Sequence, residues 1–239
     1  MADELAGKVV LITGATGALG SAVAREFART GARLALTGRS ESKLAQLSAG
    51  VGLPAERVLT AAADVTQVEG VAGLVGAIVA RWGRVDALLN TVGGWSGGKP
   101  VGETEVEEWE RMLKLNLRPA FLLSRAVLPG MLAAGWGRVI HVSSKTAVVP
   151  RAKQAGYGVS KMGVITLTET IAAEVKGSGV TANAILPSII DTPANRKALP
   201  KADPARWVRA EQIAATMRFL CSEAGGAING ARVPIYGAV

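Results

Sequence analysis

Short apolar runs alternate along the chain with longer stretches that have a helical pattern. Short β-branched and aliphatic runs predict buried strands, and helical periodicity predicts helices that cover them. The predicted strands are residues 8–12, 33–37, 58–62, 85–90, 138–142, 180–186 and 231–235. The predicted helices are residues 21–30, 42–49, 68–82, 106–134, 156–176 and 210–221. This alternation predicts a doubly wound α/β fold, with a mostly parallel sheet covered by helices on both faces.

The length and composition are those of one α/β domain. The chain has 239 residues, of which 49% are hydrophobic, which suffices to bury a complete core. No linker, repeat or low-complexity segment divides the sequence, so residues 1–239 are predicted to form a single domain. No apolar run is long enough to span a bilayer, and the first residues lack the layout of a secretion signal. We therefore expect a soluble, cytoplasmic protein without membrane contact.

Cysteine and histidine are scarce. Cys221 is the single cysteine and His141 the single histidine, which excludes a disulfide within the chain and argues against a metal site. His141 lies in an apolar predicted strand, where we interpret it as a hydrogen-bonded histidine of the core or sheet edge. We assign it no chemistry.

The net charge is strongly positive, at +8 from 27 basic and 19 acidic residues. The basic residues are scattered, and few aromatic side chains are available to stack on bases. This distribution argues against a nucleic-acid partner. The charge favours a solvated surface, or attraction to a phosphorylated cofactor or an acidic substrate.

A glycine-rich turn follows the first predicted strand. Gly14, Gly17 and Gly20 lie between that strand and the first predicted helix. Glycines allow close approach of a ligand, and the N–H groups at a helix N-terminus can hold a pyrophosphate. A tight turn without a ligand is the alternative. Because strand, turn, helix and second strand occur in the required order, the context favours nucleotide binding.

Polar and small residues follow four further predicted strands. Asp64 follows the third strand, Asn90 and Gly93 follow the fourth, Ser144 follows the fifth and residues 187–192 follow the sixth. Such residues often serve only as turn formers or helix caps. Because the carboxyl ends of parallel strands meet at one edge of the sheet, we expect these groups to converge on one crevice.

Tyr157 and Lys161 are the strongest candidates for chemistry. They are separated by four residues within a predicted helix, which places the phenol and the ammonium on one helix face. A nearby cation favours the phenolate, so Lys161 is expected to lower the pKa of Tyr157. Tyr157 is therefore predicted to act as a general acid or base.

These motifs together resemble the short-chain dehydrogenase/reductase family over nearly the full length of the chain. Ser144 precedes Tyr157 by thirteen residues, the separation which that family uses. The matching pieces are residues 13–20, Asp64 with Val65, residues 90–93, Asn116, Ser144, residues 157–161 and residues 187–192. The resemblance implies a Rossmann fold and an enzyme that transfers hydride between a nicotinamide cofactor and a carbonyl or alcohol.

The resemblance also implies roles for individual residues. Tyr157 would exchange a proton with the substrate oxygen, and Ser144 would hydrogen-bond that oxygen. Lys161 would hold the nicotinamide ribose, and Asn116 would position a water in a proton relay. The predicted catalytic set is Asn116, Ser144, Tyr157 and Lys161. The predicted cofactor contacts are Gly14, Thr16, Gly17, Leu19, Gly20, Arg39, Ser40, Asp64, Val65, Asn90, Gly93, Tyr157, Lys161, Pro187, Ile190 and Thr192.

The end of the second predicted strand indicates which dinucleotide is preferred. An acidic residue there would bind the ribose hydroxyls of NAD, whereas the chain has Arg39 and Ser40. A guanidinium and a hydroxyl suit the 2′-phosphate of NADP(H). We predict NADP(H) as the preferred cofactor, with NAD(H) possible.

Two residues depart from the family pattern. Ala18 stands where the family usually has the middle glycine of the turn, and Ser188 replaces the glycine usual after Pro187. A narrower resemblance to dihydropteridine reductases lies in residues 93–98 and 191–207. In that interpretation Trp95 could stack on a flat bicyclic substrate, although a Trp packed under a loop is an equal alternative.

The predicted substrate contacts are Trp95, Ser144 and Ser188. The pterin enzymes lack a serine at the position of Ser144. The presence of Ser144 here favours a general small-molecule carbonyl or alcohol substrate, with a quinonoid pterin as the alternative. Residues 191–209 are the least regular part of the chain and form a possible basic lid over the substrate.

Assembly and an alternative function complete the expectations. The family resemblance implies a homo-oligomer, either a tetramer or a dimer, formed through the predicted helices 106–134 and 156–176. A dinucleotide-binding fold can also serve as a non-catalytic NADPH-sensing regulatory module. The complete set of Asn116, Ser144, Tyr157 and Lys161 argues against the sensor, because a sensor needs no proton donor.

Overall fold

A computed structural model describes residues 4–239 as nine strands and nine α-helices. The strands are β1 Val9–Thr13, β2 Arg33–Gly38, β3 Val58–Ala62, β4 Ala87–Asn90, β5 Gly137–Val142, β6 Val180–Pro187, β7 Ile190–Asp191, β8 Val208–Arg209 and β9 Arg232–Ile235. The helices are α1 Ala18–Ala28, α2 Glu41–Val51, α3 Val68–Trp82, α4 Val106–Asn116, α5 Arg118–Ala133, α6 Lys145–Val148, α7 Ala155–Glu174, α8 Pro193–Ala198 and α9 Ala210–Cys221. Short 3₁₀ turns lie at Val101–Glu103, Pro204–Arg206 and Ala224–Ala227.

Seven of the strands form one parallel sheet in the order β3-β2-β1-β4-β5-β6-β9. The strand order reverses between β1 and β4, because the chain builds outward from β1 in one direction and then in the other. A crevice opens at such a reversal, beyond the carboxyl ends of the strands. The predicted doubly wound α/β fold is confirmed.

Alternate residues of the central strand feed two separate cores. Val10 and Ile12 of β1 belong to a core that includes Phe27 of α1 and Met217 of α9. The intervening residues of β1 face the opposite core, which includes Ile78 of α3. Successive side chains of a strand point to opposite faces, and both faces of β1 are buried. This explains why the strand reads as a continuous apolar run.

The predicted helix 106–134 is wrong as a single element. The structure divides it into α4 and α5, with Leu117 between them. Pro119 lies in the first turn of α5 and has no backbone N–H, so it cannot continue the hydrogen-bond ladder of α4. As a result Asn116 is the last residue of α4, next to the site described below.

Residues 191–209 are more regular than predicted. They contain the end of β7, α8, a 3₁₀ turn and β8, and β7 pairs with β8 in a small parallel sheet. Arg196 forms a bidentate ion pair with Asp191, with nitrogen–oxygen distances of 2.7 and 2.8 Å. The helix α6, which follows Ser144, was also not predicted. Every helix in residues 4–239 falls short of the length or the apolar character that a bilayer crossing requires.

Candidate active site

Gly14, in the turn between β1 and α1, and Gly20, in the first turn of α1, have no space for a side chain. Gly14 has a φ of +66°, and a Cβ atom there would lie 3.0 Å from Thr91 Oγ1. A Cβ atom on Gly20 would lie 2.2 Å from the carbonyl oxygen of Gly14. Gly17 is the N-cap of α1, and the described residues place neither a side-chain cap nor an acidic residue at this N-terminus. The first N–H groups of α1 are therefore available to an anionic ligand.

A cavity of about 560 Å³ lies beside this turn, at the carboxyl ends of β1, β2, β3 and β4. Seven of the predicted cofactor contacts line it: Gly14, Thr16, Gly17, Arg39, Asp64, Val65 and Gly93. Other lining residues were not predicted from the sequence, and they include Thr37, Gly38, Thr91, Arg111 and Lys114. Four strand ends thus contribute to one crevice.

Positive charge predominates in the cavity wall. Arg39, Arg111 and Lys114 line the cavity together with the carboxylate of Asp64. Asp64 Oδ1 accepts hydrogen bonds from Thr66 N at 2.9 Å and from Thr66 Oγ1 at 2.7 Å. These bonds hold the pKa of Asp64 below its usual value, and the charges of Lys114 and Arg39 act in the same direction. Asp64 therefore shapes its own turn as well as lining the cavity.

Several predicted cofactor residues have roles within the fold and do not line this cavity. Leu19 and Gly20 are buried in the first turns of α1. Ser40 is the N-cap of α2, where its hydroxyl accepts a hydrogen bond from Lys43 N. Asn90 is buried, and its Oδ1 accepts hydrogen bonds from Thr13 Oγ1 at 2.8 Å and Val92 N at 3.2 Å.

The residues that follow β6 lie apart from the cavity. Pro187 ends β6, and Ile190 belongs to β7. Thr192 is the N-cap of α8 and accepts a hydrogen bond from Asn195 N at 3.1 Å. Ser188 Oγ donates a hydrogen bond to the carbonyl oxygen of Tyr236 at 2.6 Å, so this hydroxyl is engaged within the chain.

Lys161 carries a buried charge. Its side chain comes from the second turn of α7, and Nζ donates a hydrogen bond to the carbonyl oxygen of Val142 at 2.9 Å. The residue is 4% exposed, and burial lowers the pKa of Lys161 to about 8. A Cβ atom on Gly93 would lie 2.9 Å from Nζ and 2.8 Å from Asn116 Oδ1. Gly93 is therefore required where Lys161 and Asn116 approach each other.

Asn116 connects three elements at this point. Its Oδ1 accepts a hydrogen bond from Gly94 N at 2.9 Å, and its Nδ2 donates one to Ser160 Oγ at 3.0 Å. The side chain thus joins the end of α4 to the loop after β4 and to α7. This geometry depends on the break at Leu117, which ends α4 at Asn116.

Tyr157 and Ser144 form the second half of the cluster. Tyr157 lies in the first turn of α7, and its side chain is hydrogen-bonded to that of Ser144. Ser144 is the buried N-cap of α6, and its Oγ also accepts a hydrogen bond from Thr146 N at 3.2 Å. Burial raises the pKa of Tyr157, and the hydrogen bond with Ser144 acts in the opposite direction.

The expectation that Lys161 lowers the pKa of Tyr157 is therefore wrong. The net effect of the surroundings is to raise that pKa, and the largest cause is burial. The ammonium of Lys161 is bonded to the carbonyl of Val142. Tyr157 is consequently a neutral phenol at neutral pH in this arrangement, which makes it a proton donor.

His141 is confirmed as a hydrogen-bonded core residue. Its Nδ1 lies 3.3 Å from Asn90 Nδ2, and its Nε2 lies 2.9 Å from Ser124 Oγ. Complete burial lowers the pKa of His141 to about 3, and the charge of Lys161 contributes in the same direction. The neutral ring accepts from Asn90 and donates to Ser124.

Trp95 is 59% exposed, in the loop that follows β4. Its exposure contradicts the alternative that it packs under a loop. Arg111 and Lys114, which the sequence analysis missed, are three residues apart on α4 and share one face of that helix. Lys114 is two residues before Asn116 and therefore points to another side of α4, so spacing relative to Asn116 gave no signal for either residue.

Comparisons with known proteins give one family. The family profile described as short chain dehydrogenase matches residues 8–203. D-threitol dehydrogenase of Mycolicibacterium smegmatis is 34% identical over 243 residues, which cover 98% of this chain and 93% of the relative. D-beta-hydroxybutyrate dehydrogenase of Rhizobium meliloti is 34% identical over 208 residues, covering 86% and 80%. The 3-oxoacyl-(acyl-carrier-protein) reductase of Pseudomonas aeruginosa is 33% identical over 246 residues, covering 98% of each chain.

The buried charge of Lys161 predicts a pH-dependent stability. The pKa of Lys161 is about 8 in the folded chain against a usual value of 10.5, so the unfolded chain binds more protons between these pH values. The free energy of unfolding contributed by this group therefore rises from pH 8 to pH 10.5. We expect the stability of Lys161→Met, relative to the wild type, to fall over this range by up to about 3 kcal/mol.

Urea unfolding at a series of pH values measures this difference. The same exchange at Lys176, which is exposed, is the matched control, and its effect should not vary with pH. If the difference in the free energy of unfolding between Lys161→Met and the wild type is constant from pH 8 to pH 10.5, burial does not lower the pKa of Lys161.

Proposed function

The chain belongs to the short-chain dehydrogenase family. From this membership and the geometry of the site, we propose that it transfers hydride between NADP(H) and a small carbonyl or alcohol. Tyr157 is the general acid and base in this proposal. Membership makes the chain an oxidoreductase that acts on carbonyl or alcohol substrates. The alternative of a non-catalytic NADPH sensor is set aside for the same reason. The observation that carries the proposal is the contact between Tyr157 and Ser144 beside the buried ammonium of Lys161.

The glycine turn and the cavity fit a dinucleotide, and enzymes of this family use NAD or NADP. The uncapped N-terminus of α1 would bind the pyrophosphate, because its N–H groups and helix dipole favour an anion. Lys161 would hold the ribose next to the nicotinamide, and Asn116 would position the water of the proton relay. A bound nicotinamide supplies or accepts the hydride.

The proton chemistry belongs to Tyr157 and Ser144. At neutral pH the raised pKa of Tyr157 keeps the phenol protonated, so it can donate its proton to the substrate oxygen as that oxygen gains charge. Ser144 would donate a hydrogen bond to the same oxygen. Before the substrate oxygen takes that hydrogen bond, Ser144 bonds Tyr157 and opposes the rise in its pKa that burial causes. Oxidation of an alcohol reverses these steps.

Arg39 supports a preference for NADP(H) over NAD(H). Its side chain is exposed directly after β2 and lines the cavity, and Ser40 is the next residue in the chain. Lys114 and Arg111 add positive charge to the same wall. A guanidinium binds a phosphate through parallel, charge-assisted hydrogen bonds, whereas its hydrogen bonds to the neutral hydroxyls of a ribose are weaker.

The substrate is proposed as a small polar carbonyl or alcohol. The relatives named above act on a tetritol, a hydroxy acid and an acyl thioester, and all three reactions interconvert a carbonyl with an alcohol. Trp95 is exposed two residues after Gly93, which lines the cavity, and would be free to contact such a substrate. Its indole would also suit a flat ring, so a quinonoid pterin remains an outcome of the test below.

We also propose a homo-oligomer, a tetramer or dimer, built on the surface of α4, α5 and α7. A groove of about 1410 Å³ on this surface is lined by Phe121, Val159 and Met162, of which Phe121 and Val159 are about half exposed. Glu107, Glu110 and Arg118 border the groove, so a second copy related by a two-fold axis could pair opposite charges across it. A molar mass of a single chain in light scattering would contradict this assembly.

A substrate panel tests the activity. We expect NADPH oxidation with small ketones, hydroxyketones or 3-oxoacyl compounds, because Tyr157 can deliver a proton to any carbonyl oxygen held by Ser144. The measurement is the loss of NADPH absorbance, with a reaction that lacks enzyme as the control. Turnover of quinonoid dihydropterin alone would favour the pterin alternative. No turnover with any compound would overturn the proposal.

Replacing Arg39 tests the cofactor preference. We expect Arg39→Ala to weaken NADPH binding about tenfold or more, because the 2′-phosphate loses a charge-assisted partner, and to leave NADH binding nearly unchanged. Fluorescence titration measures both dissociation constants. Arg25→Ala removes an exposed arginine of α1 outside the cavity and is the control. Equal binding of NADH and NADPH by the wild type, or an unchanged NADPH affinity in Arg39→Ala, would contradict the preference.

A further inference from the structure

Residues 236–239, called the closing segment here, lie across the carboxyl edge of the sheet after β9. Ser188 holds the beginning of the segment, because its N–H donates to Ile235 O at 3.1 Å and its hydroxyl donates to Tyr236 O at 2.6 Å. Arg206 holds the other part. Its Nε and Nη2 donate to Ala238 O at 3.1 and 2.7 Å, and Ala238 N donates to Arg206 O at 3.0 Å.

Lys145 makes the third attachment. Its Nζ donates to Val239 O at 2.8 Å and lies 4.9 Å from the centroid of the Tyr236 ring. Lys145 is the first residue of α6 and directly follows Ser144. The closing segment is thus bonded to the residue next to the serine of the active site.

The helix α6 depends on contacts from outside. It has four residues, and a helix of one turn is unstable without tertiary contacts. Ala147 of α6 is buried in a small apolar cluster with Leu186, and Tyr236 packs against the same cluster. The closing segment therefore supports α6 through the ring of Tyr236 and through Lys145.

We propose that Lys145 and the closing segment position Ser144, by holding α6 in the turn that directs the Ser144 hydroxyl toward Tyr157. Ser144 is the N-cap of α6, so its backbone and side chain are set by the first turn of that helix. Lys145 and Arg206 act as positioning residues through the segment they share. This assignment rests on the proposed function, in which Ser144 and Tyr157 serve the same substrate oxygen.

Loss of the attachment has a specific signature. If α6 frays, Ser144 Oγ loses its fixed direction, and the step that needs Ser144 slows more than substrate binding weakens. The hydrogen bond from Ser144 opposes the rise in the pKa of Tyr157 that burial causes. Without that bond the pKa of Tyr157 rises further, so the alkaline limit of carbonyl reduction moves to higher pH. Lys161, the buried cation one turn along α7, is unchanged by these substitutions.

A double-mutant cycle tests the proposal. Lys145→Met and Arg206→Met are each expected to lower kcat about tenfold with little change in KM, and to shift the alkaline limit upward. The double variant should be no slower than the slower single variant, because both substitutions release one segment. Lys145→Arg should restore most of the activity. Lys176→Met, the same exchange at an exposed position of the chain, should retain full activity.

Hydrogen exchange gives a readout that does not depend on turnover. The amide of Thr146 donates to Ser144 Oγ, so its exchange should accelerate at least about tenfold in Lys145→Met and in Arg206→Met. Unchanged exchange, an unchanged kcat and alkaline limit, or multiplied effects in the double variant would overturn the positioning role. Faster exchange in both variants, combined with a wild type that reduces no carbonyl, would support the role and overturn the proposed function.

Discussion

The buried ammonium of Lys161 is the constraint around which the carboxyl edge of the sheet is arranged. A charge that is 4% exposed needs hydrogen-bond acceptors, and the carbonyl oxygen of Val142 provides one at 2.9 Å. Val142 is the last residue of β5, so the position of the charge is fixed by the sheet itself. Gly93 must lack a side chain for Lys161 and Asn116 to approach each other. The ammonium of Lys161 and the amide of Asn116 together therefore require glycine at position 93, in the loop after β4.

The fold places the reacting groups on elements that the two cores hold rigidly. Tyr157 and Lys161 come from α7, which packs against the sheet, and Ser144 caps a short helix directly after β5. The uncapped end of α1 and Arg39 lie on the other side of the strand-order reversal, and Arg111 and Lys114 reach the same cavity from α4. An anion-binding half and a proton-donating half thus meet at one crevice. This division matches the needs of hydride transfer from a phosphorylated cofactor to a carbonyl.

Local patterns predicted the sheet, and long-range packing decided what those patterns could not. The apolar runs predicted all seven strands of the main sheet. Burial on both faces leaves a continuous signal in the five inner strands, whereas the edge strands β3 and β9 are partly exposed. The four-residue spacing of Tyr157 and Lys161 predicted a shared helix. It did not predict the direction in which the pKa of Tyr157 shifts, because that shift depends on burial by distant residues. The helix break at Leu117 was missed, although Pro119 marks it. The attachment of residues 236–239 to Lys145 joins positions far apart in the sequence and has no local pattern.

The central claim is that the Tyr157 phenol delivers the proton while Lys161 and Ser144 hold the site in place. Single-turnover hydride transfer from NADPH to a ketone, followed by stopped flow in Tyr157→Phe, tests it most directly. We predict a rate about 10² to 10⁴ times below that of the wild type, because Tyr157→Phe removes the hydroxyl that supplies the proton. Hydride transfer at the wild-type rate in Tyr157→Phe would contradict the account.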